Sequence, residues 1–104
     1  MDEFKVEHFP KRRACRIGIP SQLNVGNRLD LMALVSLELD SGTVSFEVDL
    51  AETAYIDSTG LAILVALKKK VEKSGGNLVL SHLSPDHRKL LELIHLDELL
   101  QITA

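Results

Sequence analysis

Tryptophan is absent from this chain, and one tyrosine and three phenylalanines are its only aromatic residues. So few rings exclude a platform on which nucleic-acid bases could stack. An excess of positive charge is missing too. Twelve Lys and Arg stand against 15 Asp and Glu, a net charge of −3, which removes the electrostatic footprint of a nucleic-acid binder. The expectation is a protein partner and no direct contact with nucleic acid. A single cysteine, Cys15, excludes an internal disulfide, and its place in a strand-like run predicts a small buried apolar residue with no chemistry of its own. The longest unbroken apolar stretch, Leu61 to Leu67, falls far short of the ~20 residues a membrane-spanning helix needs. The first residues are charged where a secretory signal would be apolar, so a cytoplasmic protein with no membrane partner is expected.

What is present is globular composition, 45% hydrophobic and 26% charged. Its 104 residues suffice for one core and predict a single domain over residues 1–104. Phe4 to Phe9 and Arg13 to Ile19 read as a hairpin turning at Pro10 and Lys11. Val25, Leu29, Met32, Val35 and Leu39 recur at helical spacing before a stop at Ser41-Gly42. Val44 to Leu50 alternates, with Val44, Phe46, Val48 and Leu50 to one side and Ser45, Glu47 and Asp49 to the other. A strand covered on both faces would be apolar throughout, so the helices are expected mainly on one side of the sheet.

The second helix is predicted from about Ser58 to Lys73 and ends at Ser74-Gly75-Gly76, where glycine accepts the left-handed conformation. Asn77 to Leu80 follows as a short strand. Ser84-Pro85-Asp86 is a helix start with a serine cap, a proline where no donor is needed and an acid at the positive end. His87, Leu90, Leu91 and Ile94 are its expected inward stripe. Leu96 to Ile102 reads equally as an edge strand or a helical turn. The element order predicts an α/β fold, a small mixed sheet backed by helices.

The most informative run is Ile56-Asp57-Ser58-Thr59-Gly60-Leu61, which sets hydroxyls where a loop becomes an apolar helix. As a local pattern, Asp57 or Ser58 is a helix cap. A wider constellation reaches further: Leu50 through Leu61, then Lys73-Ser74-Gly75-Gly76-Asn77-Leu78-Val79-Leu80, then Leu83-Ser84-Pro85. From about Val44 to Ile102 the chain resembles the STAS domain of bacterial anti-sigma factor antagonists. That resemblance implies a STAS-like small mixed sheet with helices mainly on one face, and a regulator rather than an enzyme. It implies Ser58 as the phosphoacceptor of a partner that is both anti-sigma factor and serine kinase. Binding belongs to the unphosphorylated form, phosphorylation releases the partner, and a serine phosphatase resets the cycle. Asp57, Thr59 and Gly60 are carried over as neighbours at the contact surface. The family commonly carries Gly-Glu-Leu-Asp after the second strand, whereas this chain reads Pro20-Ser21-Gln22-Leu23-Asn24, so Asn24 stands at the contact surface in place of an aspartate.

Three other readings have less in their favour. A nucleophilic Ser58 lacks both a Gly-x-Ser-x-Gly elbow and a histidine placed as its base. His82, Asp86 and His87 match no standard metal-ligand spacing, and nothing calls for a cofactor. Lys68, Lys69, Lys70 and Lys73 suit the negative end of a solvated helix better than a phosphate grip. The alternative within the same fold is a constitutive STAS protein-binding subunit of a transporter or larger signalling complex, with Ser58 only a cap.

Overall fold

Alternation along three strands decides the architecture. A computed structural model describes residues 4–103. Strand β1 (Lys5–Phe9) turns through a short 3-10 segment (Pro10–Arg12) into β2 (Ala14–Gly18), with Arg13 in the left-handed region to close the turn. β2 then pairs in parallel with β4 (Ser45–Asp49), which pairs in parallel with β6 (Asn77–Ser81), giving the order β1-β2-β4-β6. In register, Cys15, Phe46 and Leu78 form one row and Ile17, Val48 and Leu80 the next. All six are buried in one core with residues of three helices.

The parallel pairs require crossovers, and α1 (Arg28–Asp40) and α2 (Ser58–Lys73) supply them. A third helix, α3 (Pro85–Leu93), follows β6. Leu31 and Val35 of α1, Ile63, Leu64, Leu67 and Val71 of α2, and Leu91 of α3 pack on the same side of the sheet. The opposite side carries charge. Arg16 donates to Glu47 and Glu7, Glu47 accepts from Ser81, and Asp49 meets His82. The hydrogen bond it donates to Glu47 holds the Arg16 guanidinium above its ordinary pKa. These polar groups satisfy one another, so this face needs no helices, as the alternation predicts.

Two strands escaped the sequence reading. β3 (Gln22–Leu23) and β5 (Tyr55–Ile56) are two residues each and form a separate parallel pair, Gln22 with Tyr55 and Leu23 with Ile56. Strands this short carry no readable alternation, yet they position the site described below.

The first helix begins later than its periodicity predicts. Val25–Asn27 is a 3-10 turn, and α1 starts at Arg28. Its buried residues are Leu31 and Val35, while Val25 and Leu29 are 70% and 72% exposed. Leucine, methionine or valine stands on nearly every side of this helix, so spacing alone does not select the inward face. In α3, Ser84 caps as expected, accepting from the His87 amide, but only Leu91 of the expected stripe is buried. Leu90 and Ile94 remain on the surface.

Cys15 is 2% exposed, and burial, aided by the charge of Glu38, pushes its thiol up to about 12. The open segment Leu96 to Ile102 takes both forms: Leu100 donates back to the Leu96 carbonyl in a turn, then Ile102 bridges in parallel to Leu80. Lys68 overturns the solvated-lysine expectation. It is 2% exposed, and its ammonium donates to the carbonyl of Leu78 and the side chain of Gln101, each at 2.8 Å, and to Asn77 at 3.3 Å. Helix α2, strand β6 and the last segment are joined at this one nitrogen. Gly75 has φ +84°, the left-handed turn that ends α2.

Candidate functional site

The ribbon of β3 and β5 ends with Leu23 beside Ile56, and the next residue on each strand is a helix cap. On one strand that residue is Asn24. Its side chain accepts from the Gly26 amide at 2.8 Å while Asn27 accepts from the Asn24 amide at 3.1 Å, a reciprocal capping box. On the other it is Asp57, whose carboxylate accepts from the Gly60 amide at 2.7 Å. Extended backbone at both caps lets the strands pass straight into helical turns. The capping expectation for Asp57 is met, and Asn24 performs the same task without a charge.

Gly60 explains how the two starts come so close. A Cβ there would lie 2.5 Å from the carbonyl oxygen of Leu23 and 2.8 Å from the Ile56 side chain. The β3 backbone therefore rests directly on the first turn of α2. Gly60 is buried, so its contribution to any contact surface is the shape it permits.

Ser58 is the first residue of α2 and is exposed, Asp57 and Thr59 are half-buried, and Tyr55 beside them is 57% exposed. The five residues singled out from sequence, Asn24, Asp57, Ser58, Thr59 and Gly60, thus meet at one end of the molecule. Because Asp57 engages the Gly60 amide, the amides of Ser58 and Thr59 at the positive end of the helix are available to an anionic group on the serine.

Acidic residues that precede α2 in sequence do not crowd this end. Glu47 and Asp49 lie on the charged sheet face, and Glu52 pairs with Lys5 at 2.9 Å. Glu47, Asp49 and His82 bring ligand-type atoms within 4.8 Å of one another, a different grouping from the His82, Asp86 and His87 set considered from sequence. Its members are engaged with Arg16, Ser81 and each other.

Sequence reasoning missed the groove next to the hydroxyls. Arg28, Leu29 and Met32 of α1 face Thr59, Ala62 and Ala66 of α2 across a space of about 450 Å³, with Ile63 also in its lining. The signal lay in two alanines one helical turn apart on an otherwise bulky helix. No described helix is long and apolar enough to cross a membrane.

The sequence family described as "Mlab, STAS domain" matches residues 11–101. The anti-sigma-B factor antagonist of Bacillus subtilis (strain 168) is 30% identical over 88 residues, covering 80% of this chain and 81% of that protein. The putative anti-sigma factor antagonist BtrV of Bordetella bronchiseptica is 31% identical over 80 residues, covering 77% of this chain and 66% of that protein. Among solved structures, the anti-sigma factor antagonist SpoIIAA in its unphosphorylated form aligns with TM-score 0.78 at 18% identity, covering 98% of this chain and 89% of that chain, a likeness of fold. With its mixed four-stranded sheet, its helices on one side and its capped pair of helix starts, the chain belongs to the STAS domain family.

Proposed function

We propose that this protein is an anti-sigma factor antagonist working by partner switching, with Ser58 as its phosphoacceptor. The unphosphorylated form binds an anti-sigma factor that is also a serine kinase, phosphorylation of Ser58 releases it, and a serine phosphatase restores the binding form. The domain is a substrate and a binder, not a catalyst, and acts in the cytoplasm. The observation that carries this reading is an exposed hydroxyl on the first residue of α2, at the end of the molecule where Asn24 and Asp57 cap adjacent helix starts. The names of the relatives support the same role.

Physical chemistry favours a switch at the interface over a change of fold. A phosphate on Ser58 meets free amides and the positive end of the helix, so α2 tolerates it. The phosphorylated form of SpoIIAA retains a fold like this one, at TM-score 0.74. Phosphorylation adds about −1.5 to −2 charges. One facing carboxylate about 6 Å away, at an effective dielectric of about 20, opposes each unit by about 3 kcal/mol before screening. Half of that weakens binding about tenfold. Asn24 adds no charge of its own beside the Asp57 carboxylate at this surface. Asp57 and Thr59 flank the contact, and Gly60 holds the turn against β3.

The test is binding of the kinase partner to Ser58→Ala and Ser58→Asp proteins. Retention by the first and at least tenfold loss by the second is expected. Equal binding would favour a constitutive subunit with Ser58 as a structural residue.

A further inference from the structure

We infer that the groove between α1 and α2 is the seat of an amphipathic helix from an acidic protein partner, with a carboxylate of that helix set against Arg28. The occupant deepens the reading of the site as a partner surface and rests on it. Three features select this chemistry. The groove is apolar along its length: Leu29 is 72% exposed at one wall, Met32 continues that wall, and Ala62 and Ala66 leave room opposite. From Thr59 to Ala66 it spans about two helical turns, roughly 10 Å at 1.5 Å per residue, a length matched by leucines at i, i+4 and i+7 of a docking helix. Among the described residues, Arg28 is the one charged group in its lining, and its guanidinium makes no ion pair with any of them.

Arg28 and Thr59 lie at the head of the groove, where both helices begin. The apolar slot therefore opens onto the end of the molecule that displays Ser58. A partner seated there has its acidic end beside Thr59, the neighbour of Ser58.

The probe is a capped alanine- and glutamine-based peptide of about 15 residues with leucines at i, i+4 and i+7 and a glutamate one turn beyond each end of the stripe. It is titrated into the 15N-labelled full chain, beside a control peptide with lysines in place of the glutamates. Shift changes are expected to concentrate on Arg28, Leu29, Met32, Ala62 and Ala66, with the lysine peptide about fivefold weaker, the upper range for an exposed charge pair. The exposed substitution Arg28→Glu should invert that preference, while the spectrum itself reports that the variant is folded. No response to the glutamate peptide, equal response to both peptides, or shifts centred on Leu90, Leu93 and Ile94 of the α3 surface would each overturn the inference. Concentration-dependent shifts at the groove without peptide would assign it to a second copy of this chain and overturn it as well. The probe contains no kinase and Ser58 is unaltered, so failure here leaves the phospho-switch standing, and failure of the switch leaves groove binding to be judged by this titration.

Discussion

Replacing Gly60 with alanine perturbs the site at its tightest point. The new Cβ would sit 2.5 Å from the Leu23 carbonyl oxygen and 2.8 Å from Ile56 Cγ2, where ordinary contact begins at 3.4 Å. The near neighbour is backbone of β3, which has no rotamer with which to move aside. Helix and strand must part by roughly 1 Å, and overpacking of this kind costs about 3 kcal/mol at the upper end. Alanine returns about 1 kcal/mol through its better helix propensity. The net loss is about 2 kcal/mol, which for a domain near 100 residues lowers Tm by about 8–16 °C. Thermal unfolding followed by circular dichroism measures it, with Gly18→Ala as the control because a Cβ there meets Lys5 Cβ at an acceptable 3.4 Å. An unchanged or raised Tm in Gly60→Ala, with the control also unchanged, would refute the idea that β3 rests on the helix start.

Other outcomes follow from the same geometry. Asp57→Ala removes the cap on Gly60 and should cost about 1 kcal/mol, while Asp57→Asn should retain most of it, both read from urea denaturation. Lys68→Met deprives the carbonyl of buried Leu78 of this donor, at about 1–3 kcal/mol, while the side chain of exposed Gln101 turns to water. Hydrogen exchange should accelerate first at Leu80 and Thr103, whose amides tie the last segment to β6. The Cys15 thiol, held neutral up to about 12, should resist an aromatic disulfide reagent at pH 8 in the native protein and react promptly once unfolded. Its folded pKa lies above the ordinary value of 9.0, so its contribution to stability is complete below pH 9 and declines as the pH climbs toward 12.

Local signals made much of this structure legible. Alternation in Ser45–Asp49 gave both the strand and the bare sheet face, since polar side chains at Glu47 and Asp49 have no place under a helix. Asp57, Ser84 and Gly75 marked helix ends because capping chemistry is written in adjacent residues. Features fixed by tertiary contact were not legible. Leu29 and Leu31 are chemically alike, and only packing decides that the second is buried and the first displayed. Lys68 looked like its neighbours Lys69 and Lys70, but three acceptors converge on it from β6 and the last segment. At the candidate site, the hydroxyl and its cap were readable. The pairing of β3 with β5, which sets Asn24 beside Asp57, was not, because two-residue strands have no period.

The central claim is that Ser58 carries a regulatory phosphate. Intact-mass spectrometry of the protein isolated from its native cells under two growth conditions, with fragment ions to place any added group, tests it most directly. The account predicts a single phosphate on Ser58 whose occupancy changes between conditions. No phosphate in either condition, together with a partner that stays bound in both, would contradict it.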